Sequence, residues 1–221
     1  MQQVSIQNEA ALAHLAASDP VMARLIEERG QLALHPVNDY FFTLVEAIAS
    51  QQLSSKAAET IIGRIRALVP HQSPPDAAGV LAVPDEALRA AGLSWGKVRY
   101  VKDLAAHVES GQLPLEHIAQ MEDEEVIKAL VAVKGIGRWT AEMFLIFSLA
   151  RPDVLAVDDY GLQAAMRDLY GLPDLPKPVP MREIGERWRP YRSYASLYLW
   201  HSRDNSPKIE ALAGKLEGEI G

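Results

Sequence analysis

Residues 130–140 read LVAVKGIGRWT, and the folding of this stretch decides how the rest of the chain is read. Val126, Leu130 and Val133 recur at helical spacing, so a helix leads in. It stops at the hairpin 134–137, Lys134-Gly135-Ile136-Gly137, and a second apolar helical pattern starts at once with Arg138. Glycines two apart let the turn take positive φ and let a partner approach the backbone closely. The opening N–H groups of the second helix have no acceptor within it, so an anion can dock there. Two helices joined in this way clamp a phosphate and read backbone, not base. Lys134 and Arg138 flank the turn with positive charge. A tight corner inside a helical bundle would use the same residues, so the turn alone leaves both readings open.

Working outward, helical periodicity holds nearly everywhere. Residues 10–17 read AALAHLAA, and Ser18-Asp19-Pro20 then makes a cap with proline in the first turn of the next helix. Asn38 or Asp39 can cap an apolar helix over 40–50, and Ser54 or Ser55 the one after it. A connector over 71–79 with Pro74-Pro75 leads to short helical pieces, one closed by Gly92-Leu93-Ser94. A longer helix over 97–109 ends at Gly111 and Pro114. Glu122-Asp123-Glu124-Glu125 suits a solvated first turn matched to the helix dipole. The helix over 138–150 is apolar nearly all round, which predicts burial at the centre of the molecule. Further helices are expected over 181–188, 191–202 and 207–219, after the connector GLPDLPKPVP. No alternating strand pattern of convincing length interrupts them, and the fold class is all-α. The connectors are too short for flexible tethers, so any two-domain organisation must be two packed helical lobes.

Composition narrows the chemistry. The chain has 221 residues, 48% apolar and 23% charged, which is globular composition with room for a core. No apolar run approaches the ~18–20 residues that span a bilayer, so no membrane partner is expected. The start, MQQVSIQNEA, lacks the basic and apolar regions of a secretory signal, which predicts a cytoplasmic protein. Zero cysteine removes disulfides, thiolate catalysis, cysteine-ligated zinc and cysteine-bound iron–sulfur clusters. A net charge of −7 argues weakly against nucleic acid, but the charge is uneven. Three arginines and no acid lie over 187–202, and Arg203 adds a fourth. Lys97, Arg99 and Lys102 cluster as well, so a local basic face with modest, salt-sensitive DNA affinity is expected.

Downstream of the hairpin, Leu155-Ala156-Val157-Asp158-Asp159-Tyr160 delivers two adjacent carboxylates to a helix start. One can serve as the N-cap, and the other can face a cleft as an anionic catalyst. The run from Gly135 through Arg138, Trp139 and Thr140 to Ala141, followed by Val157 to Tyr160, resembles the helix-hairpin-helix (HhH-GPD) DNA glycosylases. Within that superfamily it is most similar to the 3-methyladenine DNA glycosylase II branch. Ile48-Ala49-Ser50-Gln51-Gln52-Leu53-Ser54 resembles the family's duplex-invading segment. Gly92-Leu93-Ser94 with Lys97 and Tyr100, and 188–195 with Trp200, resemble further family stretches. The likeness spans roughly residues 40 to 203.

The resemblance implies a monofunctional glycosylase that flips an alkylated purine out of damaged double-stranded DNA and hydrolyses its N-glycosidic bond. Asp159 takes the position of the catalytic carboxylate, which would stabilise the oxocarbenium-like transition state, and Asp158 falls to a capping or structural role. Trp139 stands where bifunctional relatives carry a Schiff-base lysine, so no lyase activity is expected. Trp139 and Trp200 match aromatic positions of the base pocket, and Met143 stands where a tyrosine would be expected. The phosphate-binding hairpin comprises Lys134, Gly135, Ile136, Gly137, Arg138 and Thr140. Gln51, Gln52 and Leu53 are candidates for the duplex wedge, with Gln52 aligning best. Arg192 is expected to support the C-terminal helix or the Asp159 loop. The family's hairpin holds a monovalent cation, Na+ or K+, which here would sit on the main-chain carbonyls of Val131, Val133 and Ile136; no iron–sulfur cluster is implied. The chain resembles a compact form without the extra N-terminal sheet domain. A central lobe over 40–150 is expected to pack on a second formed by 1–39 and 151–221, with the active-site cleft between them. No obligatory protein partner is implied, so a monomer is expected, associated with the nucleoid if the source is bacterial. Another lesion (hypoxanthine, ethenoadenine or uracil) and a non-catalytic hairpin protein that binds duplex DNA stay open as alternatives.

Overall fold

In the computed structural model the described residues are 2–37, 39–69 and 74–203, and they form twelve α-helices and no strand. The chain divides into a central unit, Val37–Phe144, and a terminal unit made of the residues up to Pro36 and from Leu145 on. The helix expected over 207–219 lies outside the described residues. No described helix is long and apolar enough to cross a membrane.

The terminal unit begins with α1 (Gln2–Ser18) and α2 (Pro20–Arg29). The central unit follows with α3 (Tyr40–Ser50), α4 (Ser55–Ala67), α5 (Ala77–Ala82), α6 (Asp85–Ala90), α7 (Trp95–Glu109) and α8 (Asp123–Val131). Short polar caps set their starts: Asp39 accepts from the Phe42 N–H, Ser54 from Ala57 and Ser94 from Lys97. The four acids before the hairpin make a capping box between Glu122 and Glu125. Helix α7 packs against α3, α5 and α6. Its buried stripe is Val98, Val101, Leu104 and Ala105, each large aliphatic contributing about 1.5–3 kcal/mol on full burial.

Helix α9 (Arg138–Phe147) follows the hairpin, and the division between units falls within it, after Phe144, against an expected boundary at residue 150. Residues 140–148 are all buried, in keeping with their largely apolar character, and Thr140, Glu142 and Ser148 are buried with them. The helix stops short of residue 150 because Ala150 takes φ 51 and the Arg151 N–H turns back onto the Leu145 carbonyl at 2.9 Å.

The terminal unit closes with α10 (Tyr160–Tyr170), α11 (Pro178–Gly185), a 3-10 turn over Glu186–Trp188 and α12 (Arg192–His201). Gly171, at φ 64, ends α10 in the left-handed region. Among the described residues the largest buried side chains are Trp188, Trp200, Tyr194 and Tyr198. The Tyr198 hydroxyl donates to Gly30 O at 2.8 Å and accepts from the Leu32 N–H at 3.1 Å, which fixes the chain leaving α2.

Candidate active site and nucleic-acid interface

The carboxylate of Asp159 sits at the N-terminus of α10. Its Oδ1 accepts the Leu162 N–H at 2.7 Å and the indole Nε1–H of Trp200 at 2.9 Å. Capping therefore belongs to Asp159 itself, which corrects the expectation that Asp158 would take that part. Asp158 is exposed, while Asp159 is buried to 8% exposure. The physical reason is register: Asp159 immediately precedes the first helical residue and reaches the third N–H beyond it. Two N–H donors and the positive end of the helix dipole stabilise negative charge at this position.

Helix α12 holds the segment leading to Asp159 at two places. Near its start, Arg192 Nε donates to Asp153 Oδ1 at 2.6 Å, and its Nη2 donates to the Asp153 carbonyl at 2.8 Å. The Ser193 N–H donates to Pro152 O, and Ser193 Oγ accepts from the Val154 N–H. At its other end the indole of Trp200 reaches Asp159. Arg192 thus supports the Asp159 loop, as the sequence suggested. Trp200 is wholly buried beside Phe147 and acts on the carboxylate through its N–H.

The hairpin joins α8 to α9. Its two glycines have different reasons to be glycine. Gly135 is at φ 84, and a Cβ there would collide with the ring of Tyr100 on α7. Gly137 has no positive φ, and nothing would meet a Cβ there. The fold requires the first; the second leaves an open approach to the backbone. Ile136 and Thr140 are buried, whereas Lys134, Gly137 and Arg138 are exposed. Val133 O accepts the Ile136 N–H at 3.2 Å, and a carbonyl with two lone pairs retains capacity for a hard cation.

Both hairpin cations are already engaged. Asp103 on α7 accepts from the Lys134 N–H and from its Nζ, each at 2.9 Å. Burial works to raise the Asp103 carboxyl, but the Lys134 bonds outweigh it and the net shift is downward. Arg138 pairs with Glu124 at 2.6 Å and with Glu142 at 3.1 Å. Three of the four arginines of 187–203 are partnered in the same way: Arg189 with Asp153 and Glu186, Arg192 with Asp153, Arg203 with Asp168. Much of the basic face expected from sequence is committed to acids far away in the chain.

The segment after α3 turns tightly. Gln52 is exposed and left-handed, at φ 58, one of only two described non-glycine residues with positive φ. Gln51 turns the other way, its Nε2 donating to the Gly135 carbonyl of the hairpin at 2.9 Å. Of the three wedge candidates, Gln51 is therefore occupied internally and Leu53 is half-buried. The pocket candidates also differ. Trp139, in the first turn of α9, is 39% exposed, while Met143 one turn later is wholly buried. Sequence reasoning gave no role to Asp103 or Asp153 and none in particular to Lys97. The signal that could have found two of them is the i, i+3, i+6 spacing of Lys97, Tyr100 and Asp103, a polar stripe along one side of α7.

The chain is similar to known proteins over most of its length. The family model for the HhH-GPD superfamily base excision DNA repair protein matches residues 45–190. DNA-3-methyladenine glycosylase 1 of Schizosaccharomyces pombe is 35% identical over 191 residues, covering 85% of this chain and 84% of its own. The crystal structure of a DNA-3-methyladenine glycosidase from Bacillus halodurans superposes with a TM-score of 0.79 at 41% identity, over 87% of this chain and 88% of that one. A Schizosaccharomyces pombe 3-methyladenine DNA glycosylase in complex with abasic DNA gives a TM-score of 0.75 at 34% identity, over 86% and 95% of the two chains. The chain belongs to the HhH-GPD superfamily of base excision DNA repair proteins, among its 3-methyladenine DNA glycosylases.

Proposed function

We propose that this chain is a monofunctional DNA glycosylase that hydrolyses the N-glycosidic bond of alkylated purines in duplex DNA, with Asp159 as its catalytic carboxylate. The observation that carries the reading is that Asp159, which takes the position of the catalytic carboxylate in a chain of this family, is oriented by a backbone N–H and by a buried indole. Breaking the bond to an alkylated, cationic purine builds positive charge on the sugar, and a pre-oriented carboxylate attracts that charge more in the transition state than in the ground state. The base leaves without strong acid assistance because it already carries positive charge. Position 139 supports hydrolysis without lyase chemistry, since an indole cannot form a Schiff base.

DNA is held by the hairpin in this reading. The opening N–H groups of α9, beside the open backbone at Gly137, suit a phosphate oxygen. The carbonyls of Val131, Val133 and Ile136 would hold a Na+ or K+ ion, which would add positive charge beside the same phosphate. Gln52 enters the duplex, being the exposed member of its turn. Trp139 offers an indole face on which a cationic base gains by stacking and cation–π attraction. The reading needs no protein partner and places the enzyme with the DNA.

The test is base release from duplexes carrying methylated purines, hypoxanthine, ethenoadenine or uracil. Free methylated purine and an unbroken abasic strand are expected, with no adduct trapped by borohydride. A nicked strand with a trapped adduct would contradict hydrolysis without lyase. Tight duplex binding with no base released from any lesion would favour a protein that binds DNA and does no chemistry.

A further inference from the structure

We infer that Lys97 and Gln51 are positioning residues that fix the turn carrying Gln52 to the phosphate-binding hairpin, so that seating the hairpin on the backbone also aims the wedge. The inference rests on Gln52 being the residue that enters the duplex. Lys97 Nζ donates to Ala49 O at 2.8 Å and to Gln51 O at 2.6 Å. These carbonyls lie at the C-terminal end of α3, where a cation is favoured by the helix dipole. The second bond is the informative one. The Gln51 carbonyl belongs to the peptide that joins Gln51 to Gln52, so holding it fixes the plane from which Gln52 takes φ 58. A non-glycine residue in that region carries strain and persists only where its surroundings impose it. The ammonium of Lys97 supplies that imposition.

The Gln51 side chain then completes a strut, reaching Gly135 O at 2.9 Å. Gly135 itself lies close against the ring of Tyr100, one turn beyond Lys97 on α7. Asp103, one further turn along, holds Lys134 by both its N–H and its ammonium. One side of a single helix therefore touches the wedge turn, the middle of the hairpin and its first residue in succession. Residues i, i+3 and i+6 stay in register as long as α7 is a helix, so the spacing between wedge and clamp is built into α7.

The test uses full-length wild-type protein, Lys97→Met and Gln51→Ala, each saturated with a duplex carrying 2-aminopurine stacked beside an abasic-site analogue. The fluorescence gain on binding is read together with affinity for undamaged duplex and the unfolding temperature. Wild type is expected to unstack the probe. Each variant is expected to lose most of the gain while keeping its affinity for undamaged duplex, and release from a paired alkylated duplex should fall about tenfold or more. A wild-type gain that both variants retain would overturn the strut while leaving the function reading intact. Gain and duplex affinity falling by the same factor in both variants would also overturn it, since that marks a loosened fold. No gain with wild type would contradict the assignment of Gln52 as wedge and the strut with it.

Discussion

Asp19 and Asp159 each cap a helix of the terminal unit, and each accepts the indole N–H of a buried tryptophan. At Asp19 the donors are spread over both oxygens. The Val21 N–H goes to Oδ1 at 2.9 Å, while the Tyr170 hydroxyl and Trp188 Nε1–H go to Oδ2 at 2.7 and 2.9 Å. At Asp159 the Leu162 N–H and Trp200 Nε1–H converge on Oδ1. Asp19 is 1% exposed and Asp159 8%. A cap and an indole bond are thus no mark of catalysis. What separates the two aspartates is burial: Asp19 is closed off at 1% exposure with the Tyr170 hydroxyl on its Oδ2, while Asp159 keeps 8%.

The comparison breaks most visibly under truncation. Asp159→Ala is expected to lower base release by about three orders of magnitude, ~4 kcal/mol of transition-state stabilisation. Its cost in stability should be ~2–4 kcal/mol, a lost cap plus the buried indole N–H of Trp200 left without this acceptor. Asp19→Ala should do the reverse. It leaves Tyr170 and Trp188 as buried donors without an acceptor, so urea unfolding should show a loss of ~3–5 kcal/mol, with release per folded molecule unchanged.

The tryptophans sharpen the same contrast with a smaller change. Trp200→Phe keeps an aromatic ring and removes the N–H to Asp159, so release should fall about tenfold with ~1 kcal/mol of stability lost. Trp188→Phe should cost about the same stability and leave release untouched. Equal effects of the two on release would remove the distinction drawn between the aspartates.

The smallest effect is alkaline. Burial, reinforced by the bond to Asp19, pushes the Tyr170 hydroxyl well above the ordinary phenol range. In the unfolded chain it ionises near ~10. This contribution to stability is therefore fully present below pH ~10 and is lost above it, at up to ~1.4 kcal/mol per pH unit, until the folded state ionises too. Tyr170→Phe should flatten the fall in unfolding free energy between neutral and alkaline pH. A slope equal to that of wild type would show that Tyr170 is not held protonated by the fold.

Much of the helical layout was legible because apolar spacing and short polar caps are local properties. Asp39, Ser54 and Asp19 cap the helices whose starts they marked in the sequence. Asp159 and the hairpin were legible through resemblance as well as through composition. The division of labour around them was not, because it is made by pairs far apart in the chain. Gln51 meets Gly135 across 84 positions, and Trp200 meets Asp159 across 41. No periodicity reports such a contact. The local basic clusters misled for the same reason: Lys134 and Arg138 look available in sequence and are each held by an acid in the fold. Gly135 and Gly137 look equivalent in a GxG turn, and the fold tells them apart by a positive φ and a ring from another helix at Gly135.

The most direct test of the central claim is single-turnover release of methylated purine by Asp159→Asn at saturating enzyme, with the unfolding temperature measured alongside. Asparagine retains an oxygen for the Leu162 and Trp200 donors and caps helices well, so folding should be nearly unchanged. The account predicts a loss of release close to that of Asp159→Ala, because only the charge has gone. Release at the wild-type rate from this folded variant would contradict it.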